Sequence, residues 1–328
     1  MRSEYNEIYE GKTILITGGA GYIGSALAQA FSNINCNLIL LFSSSGSSWK
    51  PKPNKANVSL VNGDVSNQKI WAAIIDGVDY VFHLAAIEGC NDLKHEIEVN
   101  SISMLYLLEV CCNKKQYPKI VYSSSANIFG TVSTYPVNET YSDNPASTWS
   151  VHKLMAEQYL RVYYKTCNIN SVILRLSNVY GAVPNGNVIN RMVLNKMIHM
   201  ALKGETLNLY ENYNCVRDYI FVDDVIRAFL LAGGIENDSC EGQFYVIGSQ
   251  DGKMISDVWK LIVKKVSDKI GKEVKIKMNE SVKLEPMAMR NFISDTSLFN
   301  KVTGWYPTIT LEKGIESTVS VLSRALKN

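Results

Sequence analysis

Glycines near the start of the chain are spaced for holding a phosphate group. An apolar segment, residues 12–16, leads into the run Gly18-Gly19-Ala20-Gly21-Tyr22-Ile23-Gly24, and residues 25–31 have a helical pattern. In such a strand–turn–helix unit the glycines let the backbone turn sharply and approach a pyrophosphate, and the last one lets the helix pack closely. The free amides at the helix start favour the phosphates. This segment therefore predicts dinucleotide binding through Gly18, Gly21, Tyr22, Ile23 and Gly24.

Further polar and small residues follow other apolar segments. Asp64 comes after residues 58–61, where its carboxylate could bond an adenine amino group, and Val65 follows it. Ala85 and Ala86 follow residues 80–84 and leave room for a flat cofactor. Hydroxyl groups end the segment 119–123, at Ser123, Ser124 and Ser125. Ligands of open α/β sheets bind at the carboxyl ends of the strands, so these positions are candidates for one shared site.

The elements that must position these residues alternate between strand and helix. Apolar segments at 12–16, 37–42, 58–61, 80–84, 119–123 and 171–176 predict strands, and 102–112 and 150–164 predict helices. This alternation indicates an α/β fold, a Rossmann-type doubly wound parallel sheet with a smaller interleaved C-terminal part. We expect a dinucleotide-binding domain at 1–180 and a mainly substrate-binding part at 181–328. Residues 220–250 would return to the first domain, with 244–247 as a strand of its sheet.

Bulk composition narrows the class of protein. The 328 residues are 46% hydrophobic and 20% charged with a net charge of +2, which predicts neither nucleic-acid nor membrane binding. The first ten residues lack the apolar core of a signal peptide, so a cytoplasmic protein is expected. Seven cysteines without a C-x-x-C pair predict reduced, mostly buried thiols, and no metal site is expected. Asp223 and Asp224 precede an apolar helical stretch, which favours helix capping.

Taken in order, these segments resemble the extended short-chain dehydrogenase/reductases, specifically the NAD-dependent epimerase/dehydratase family that modifies nucleotide sugars. Two later segments strengthen the resemblance: Arg175-Leu176-Ser177-Asn178 and Arg217-Asp218-Tyr219. The resemblance implies that Ser125 holds the sugar hydroxyl and that Lys153 bonds the nicotinamide ribose. It also implies a nucleoside-diphosphate sugar bound by Ser125, Asn178, Arg217 and, as a further candidate, Arg290. A homodimer or higher homo-oligomer, paired through 100–112 and 150–164, is expected on the same ground.

One departure from the family pattern concerns the catalytic pair Tyr-x-x-x-Lys. Lys153 is present, but Trp149 stands four residues before it, and an indole cannot act as a general base. Either another group serves, with His152, Tyr141, Glu88 or a water chain as candidates, or the enzyme works by a modified route. The remaining alternative is a relative that binds nucleotide sugar or dinucleotide without turnover. Retention of Ser125 and Lys153 favours a working site.

Two more departures bear on the cofactor and the reaction. Where the family usually carries an acidic residue after the second strand, this chain has Phe42 and Ser43. NAD is the expected cofactor, and NADP remains open because serine hydroxyls and nearby lysines follow. After Ser125, the acidic pair typical of dehydratases is replaced by Ala126 and Asn127, which disfavours 4,6-dehydration. The sequence therefore predicts a nucleotide-sugar epimerase or dehydrogenase that oxidises a ring hydroxyl at C4.

Overall fold

A computed structural model describes residues 5–43, 49–89, 92–186, 192–211, 215–236, 241–280 and 289–326. The strands are β1 Thr13–Thr17, β2 Asn37–Phe42, β3 Asn57–Asn62, β4 Tyr80–His83, β5 Lys119–Ser125, β6 Ser171–Leu176, β7 Asn178–Tyr180, β8 Leu207–Tyr210, β9 Val216–Phe221, β10 Glu241–Ile247, β11 Gly252–Met254 and β12 Ile276–Asn279. The helices are α1 Asn6–Tyr9, α2 Tyr22–Phe31, α3 Gln68–Ile74, α4 Leu93–Ile97, α5 Ser103–Lys114, α6 Thr148–Cys167, α7 Val193–Leu202, α8 Val222–Ala232, α9 Ile255–Ile270, α10 Ser297–Thr303 and α11 Leu311–Ala325. A π-helical turn, Glu98–Ile102, joins α4 to α5, and a 3-10 turn, Ala126–Phe129, follows β5.

Seven parallel strands form the central sheet in the order β10-β6-β5-β4-β1-β2-β3. The chain first builds outward from β1 through β2 to β3, then crosses back to place β4 on the other side of β1. The crevice above such a reversal is where doubly wound sheets bind their ligands. The fold class predicted from the sequence is confirmed.

Alternate residues of each strand enter two separate apolar layers. Ile14 and Ile16 of β1 pack on the side of α2 and α8, whereas Leu15 packs on the side of α3, α5 and α6. Because both faces are covered, the strands carry almost uninterrupted apolar sequence, as expected for a parallel sheet. Both layers are built from fully buried side chains, so the sheet is a rigid base for groups at its carboxyl edge.

The C-terminal half of the chain contributes to this sheet and also builds a second region. β10 pairs in parallel with β6, from Gln243 opposite Val172 to Ile247 opposite Leu176, so the strand predicted at 244–247 returns to the sheet. Two small sheets, β11-β9-β7 and β12-β8, lie outside it. The division at residue 180 remains a prediction. None of the helices in the described ranges is long and apolar enough to cross a bilayer.

The prediction that the cysteines are all reduced is wrong. Cys112 at the end of α5 and Cys167 at the end of α6 form a disulfide, with Cα atoms 6.2 Å apart. Each helix precedes a strand of the same parallel sheet, so both run back to the amino edge and their last residues meet there. Because the two residues are 55 positions apart, no local spacing indicates the pairing. Cys36, Cys111 and Cys215 are buried and form no disulfide, and Cys90 and Cys240 lie outside the described residues.

The capping role expected of Asp223 and Asp224 is also wrong. Phe221 is the N-cap residue of α8, without a side-chain cap. Asp224 is buried and accepts hydrogen bonds from the backbone amides of Thr308 and Ile309 at 3.0 and 2.9 Å. It also accepts one from the Thr308 hydroxyl at 2.8 Å and one from Arg227 at 3.0 Å. This carboxylate therefore anchors the segment that leads into α11, whereas Asp223 is exposed.

Asp224→Asn should destabilise the protein by about 2–4 kcal/mol, because an amide group would present a donor to buried N–H groups that need an acceptor. The matched variant Asp223→Asn should change the free energy of unfolding by less than about 0.5 kcal/mol. Urea unfolding of both variants measures the difference. Equal effects at the two positions would contradict the anchoring role.

Candidate active site

The glycine turn between β1 and α2 has no room for side chains. Gly18 has φ +65°, and a Cβ there would lie 3.0 Å from the Ala85 Cα. A Cβ on Gly21 would lie 2.9 Å from the carbonyl oxygen of Gly18, and one on Gly24 would collide with the same oxygen. The turn is closed by a 2.7 Å hydrogen bond from the Gly21 amide to that carbonyl. Bare backbone thus lies at the carboxyl edge of β1, in a shape that fits a closely approaching pyrophosphate.

The start of α2 supplies the groups that an anion needs. Gly21 is the N-cap, no side chain caps the helix, and its first turn contains no acidic residue. The amides of the first turn and the positive end of the helix dipole are therefore available to a phosphate. The Tyr22 side chain is directed elsewhere, since its buried hydroxyl donates to the Gly181 carbonyl at 2.5 Å. Burial raises the pKa of Tyr22 far above its usual value, so it acts as a neutral donor.

Two asparagines that the sequence interpretation missed hold this turn in place. The Asn185 amide donates to the Ala20 carbonyl at 2.7 Å, which fixes the loop between β1 and α2. Asn195 of α7 donates to the Gly181 carbonyl at 2.8 Å and accepts from the Gly181 amide at 2.9 Å. The C-terminal half of the chain therefore stabilises the glycine turn. Only the tertiary structure reveals this, because Asn185 is 165 positions from Ala20, and Asn195, which also donates to the Tyr22 hydroxyl, is 173 positions from Tyr22.

The residues predicted to flank an adenosine lie at the ends of β2 and β3. Phe42 is half-buried and Ser43 is exposed at the end of β2. Asp64 follows β3, and its Oδ1 accepts from the amide and the hydroxyl of Ser66, both at 2.8 Å. Val65 is buried, and its carbonyl accepts from the Trp71 indole at 2.9 Å. This loop is thus held rigidly beside the crevice.

A chain of hydrogen bonds fixes the backbone at the end of β4, beside the glycine turn. Thr17 Oγ1 accepts from the amides of Leu84 and Ala85, both at 3.1 Å, and lies 2.7 Å from His83 Nδ1. Burial lowers the pKa of His83 to about 3, and the positive charge of Lys153 adds to the effect. His83 is therefore a neutral structural group. Ala85 and Ala86 follow this chain, and the Ala85 Cα is the atom that a Cβ on Gly18 would meet at 3.0 Å.

Lys153 lies in α6 beneath the end of β5 and is 3% exposed. Its Nζ donates to the Ser123 carbonyl at 2.8 Å and lies 4.8 Å from the centre of the Tyr122 ring. The centre of the Trp149 ring lies 4.9 Å from the same Nζ. Burial lowers the pKa of Lys153 to about 7, although the charges of Glu157 and Glu88 oppose this shift. The ammonium group is thus held by a carbonyl and two aromatic rings, and it titrates near neutrality.

The local sequence explains why Trp149 and Lys153 share this place. Ser147 caps α6, because its hydroxyl accepts from the Ser150 amide at 3.2 Å. In return, the Ser147 amide donates to the Ser150 hydroxyl at 3.1 Å. This capping box starts the helix one residue before Trp149. Residues four apart in a helix lie on the same face, so Trp149 and Lys153 both face the site.

Beneath Lys153 lies a buried ion-pair network that the sequence interpretation did not identify. Arg175 of β6 donates two hydrogen bonds to the carboxylate of Glu157 in α6, at 2.9 and 2.6 Å. It also donates to Asp143 at 2.6 Å. The Ser124 hydroxyl also donates to Glu157 Oε1, at 2.5 Å. Glu157 and Arg175 are fully buried, so each needs its partner, and together they fix α6 against β5 and β6. The Ser124 hydroxyl therefore stabilises this buried network.

Ser125 ends β5 and opens the 3-10 turn, and its hydroxyl accepts from the Asn127 amide at 3.1 Å. Arg290 donates to the Ala126 carbonyl at 3.0 Å and to Asn127 Oδ1 at 2.6 Å, which holds this turn from the other side. Burial lowers the pKa of Arg290 to about 10, and the nearby charge of Arg217 contributes. Two buried arginines thus lie within electrostatic range of each other, which favours an anionic ligand between them.

The parallel pairing of β7 with β9 places Asn178 opposite Tyr219, two residues after Arg217 on the same strand. The Asn178 side chain donates to the Asp218 carbonyl at 2.8 Å. His152, in contrast, faces α4, where its Nδ1 is 3.6 Å from Glu96 Oε1. Its carbonyl accepts from Ser101 at 2.9 Å. Within the described ranges, no group of three or more His, Cys, Asp or Glu side chains is placed to hold a metal ion.

Comparison with known proteins identifies the fold and site together. Residues 14–248 match the model of the NAD dependent epimerase/dehydratase family. This chain belongs to that family. The resemblance drawn from its motifs is confirmed at this level, and the family's NAD dependence agrees with the cofactor predicted from the sequence. The match includes the glycine turn, Ser125, Lys153 and Arg217, and it ends before Arg290.

Relatives along nearly the whole chain are sugar-nucleotide enzymes by name. A putative UDP-glucose 4-epimerase of Methanocaldococcus jannaschii is 27% identical, with 94% of this chain and 97% of that protein covered. The UDP-glucose 4-epimerase of Mycolicibacterium smegmatis is 26% identical, with 93% and 96% covered. Among solved structures, UDP-glucose 4-epimerase from Thermotoga maritima with UDP-glucose is 27% identical, with a TM-score of 0.83 and 96% and 99% covered.

Replacing Lys153 with methionine should stabilise the protein, and more so at low pH. The pKa of Lys153 is lowered by folding, so the unfolded chain binds the proton more tightly and stability falls as the pH drops from 10.5 toward 7. Lys153→Met removes this cost, and its gain should be about 2.5–3 kcal/mol larger at pH 6 than at pH 9. Urea unfolding at both pH values tests this. A gain that does not change with pH would contradict the lowered pKa.

Proposed function

We propose that this chain is a 4-epimerase of a nucleoside-diphosphate hexose. The observation that carries the proposal is the buried Lys153 ammonium, which is bonded to the Ser123 carbonyl two residues before Ser125, on the same sheet edge as the glycine turn. In its protonated form this lysine favours removal of a proton from a sugar hydroxyl, because a nearby positive charge stabilises the alkoxide that forms. NAD, when bound, accepts a hydride from the sugar carbon and returns it.

Each predicted residue has a separate task in this proposal. Gly18, Gly21 and Gly24 would hold the pyrophosphate of the dinucleotide against the start of α2, with Tyr22 and Ile23 supplying backbone amides. Phe42, Ser43, Asp64 and Val65 would flank its adenosine, and Ala85, Ala86 and Ser123 would lie along it. Ser125 would bond the sugar hydroxyl, and Lys153 would bond the nicotinamide ribose.

The two buried arginines are the basis for proposing a substrate that contains a diphosphate. Arg217 and Arg290 lie close enough for the positive charge of one to lower the pKa of the other. Such a pair is costly unless an anion joins it, and a diphosphate fits because each guanidinium offers a planar fork of donors. Asn178, paired in register beside β9, would bond the same ligand. UDP-glucose is the first substrate to test, because the relatives compared above are named as UDP-glucose 4-epimerases, one of them as a putative one.

Epimerisation is favoured over dehydration by the residues after Ser125. A 4,6-dehydratase must protonate the leaving hydroxyl, whereas Ala126 has no proton to give. Asn127 is an amide, and its Oδ1 is already engaged by Arg290 at 2.6 Å. The structure offers no acid at these two positions, so a route that removes and returns one hydride fits better.

The paired helices α5 and α6 suggest a surface for a homodimer. Their outer sides carry the exposed apolar side chain of Val162 and half-buried Tyr106, Tyr159 and Tyr163. A second copy would cover these rings, as the family resemblance implies. Both helices also reach the site, through Lys153 at the start of α6 and Asn100 in the π-helical turn before α5.

Purified protein incubated with UDP-glucose should form UDP-galactose, detected by the proton NMR signal of the anomeric sugar position. Lys153→Met should lower the rate about 100-fold or more, because the positive charge near the reacting hydroxyl is lost. A product with a new 4-keto-6-deoxy signal would instead indicate dehydration. Absence of any product from several nucleoside-diphosphate hexoses would contradict the proposal.

Gly24→Ala should abolish retention of the dinucleotide, because the added Cβ collides with the Gly18 carbonyl and forces the turn open. Gly186→Ala is the matched control, since its Cβ would meet nothing within 4 Å. Denaturing each protein and measuring released dinucleotide by chromatography and mass also distinguishes NAD from NADP. Equal retention by both variants would show that the turn does not hold the cofactor.

A further inference from the structure

The position four residues before Lys153 lacks a proton acceptor, so another group must take the proton if the sugar is oxidised. Trp149 lies over Lys153 but its indole only donates. Tyr122, on the other side of the ammonium, is fully buried, and burial together with the charge of Glu157 raises its pKa well above 10. The Tyr141 hydroxyl is 2.9 Å from Thr134 Oγ1, and the Ser124 hydroxyl is bonded to Glu157. None of these four is suited to serve as base at neutral pH.

Glu88 is placed differently. It follows β4, the strand next to β5, so it belongs to the loop at the same sheet edge as Ser125. The residue before it is held tightly: Asn100 donates to the Ile87 carbonyl at 2.7 Å and accepts from the Ile87 amide at 3.0 Å. Asn100 is itself buried in the π-helical turn. The chain is therefore anchored at the residue before Glu88, and the Glu88 side chain is open to solvent.

We propose that the Glu88 carboxylate is the general base that replaces the missing tyrosine. This role rests on the proposed function. Glu88 takes the proton of the sugar C4 hydroxyl as the C4–O bond becomes a carbonyl, and the hydride on C4 is transferred to the nicotinamide. In the return step, protonated Glu88 gives the proton back to the same oxygen as C4 regains the hydride. The proton and the electron pair are thus both conserved over one turnover.

Charged groups on two packed elements adjust the proton affinity of Glu88. Glu96 of α4 acts on it with a like charge, and Lys153 of α6 acts on it with an opposite charge. Partial desolvation and Glu96 raise the pKa of Glu88, and Lys153 opposes them. A carboxylate that is accessible yet partly desolvated is expected in the wall of a cleft. Its raised pKa brings it nearer to the working pH, where a general base is most effective.

The buried pair Glu96–His152 gives this arrangement a fixed geometry. Glu96 Oε1 is 3.6 Å from His152 Nδ1, and the side chains of both residues are almost entirely buried. Ser101 holds the His152 carbonyl at 2.9 Å, so the pair joins α4 to α6 directly beside Lys153. His152 is thereby a positioning residue, which holds Glu96 within electrostatic range of Glu88.

The test compares Glu88→Gln, Glu88→Asp and a control, Glu98→Gln, in the protein with its retained dinucleotide. Glu98 lies in the π-helical turn and contacts Lys94 and His95 at 3.9 and 4.0 Å. Glu88→Gln should slow sugar-dependent reduction of the nicotinamide, followed by absorbance in a single turnover, by about 100-fold or more. Its affinity for UDP-glucose by calorimetry should stay within threefold. Glu88→Asp should retain part of the rate, and Glu98→Gln all of it.

The pH profile and a labelling experiment separate a base from a merely structural residue. The wild-type rate should fall as the pH drops and Glu88 is protonated, and this acidic limb should disappear in Glu88→Gln. Without cofactor or sugar, cyanate labelling of Lys153, quantified by mass, should have its midpoint at lower pH in Glu88→Gln, because Glu88 raises the pKa of Lys153. A Glu88→Gln rate within threefold of wild type, or an unchanged labelling midpoint, would overturn the proposal. Wild-type protein that never epimerises any sugar would overturn the proposed function as well.

Discussion

The burial of one ammonium group governs the site. Lys153 is removed from water, yet its Nζ has a carbonyl acceptor in Ser123 and two aromatic rings around it. Desolvation disfavours its charged form, while the carboxylates of Glu157 and Glu88 favour it, and the balance leaves its pKa at about 7. This charge is stable only because α6 is fixed in place. The Arg175–Glu157–Ser124 network and the Ser147 capping box provide that fixation.

The parallel sheet explains why so few residues form a complete site. Every strand of the central sheet points the same way, so the loops after β1, β2, β3, β4 and β5 all open at one edge. The glycine turn, Asp64, Ala85, Glu88 and Ser125 meet there, although they are spread over about a third of the chain. The small sheet of β7 and β9 adds Asn178 and Arg217, and Arg290 reaches the turn after Ser125. The site is thus divided between a rigid sheet edge and the C-terminal half.

The sequence predicted those features that depend on neighbours in the chain. Residues 37–42 and 171–176 are strands with unchanged bounds, because continuous apolar runs between helices have few other uses in an α/β protein. The glycine turn was predictable for the same reason. In contrast, Glu157 and Arg175, or Cys112 and Cys167, meet only because their elements are neighbours in space. Asp224 was misinterpreted because an acid at a helix start has the same local pattern whether it caps the helix or anchors a distant loop. The predicted roles of individual site residues, His152 and Trp149 included, remain predictions.

In the proposed reaction, a sugar is oxidised at this edge of the sheet and reduced again at the same carbon. UDP-glucose carrying deuterium at C4 tests it most directly. After incubation in ordinary water, the account predicts UDP-galactose that retains the deuterium at C4, because the hydride leaves and returns without exchange. Loss of the deuterium to solvent, or no interconversion by protein that retains its dinucleotide, would contradict the account.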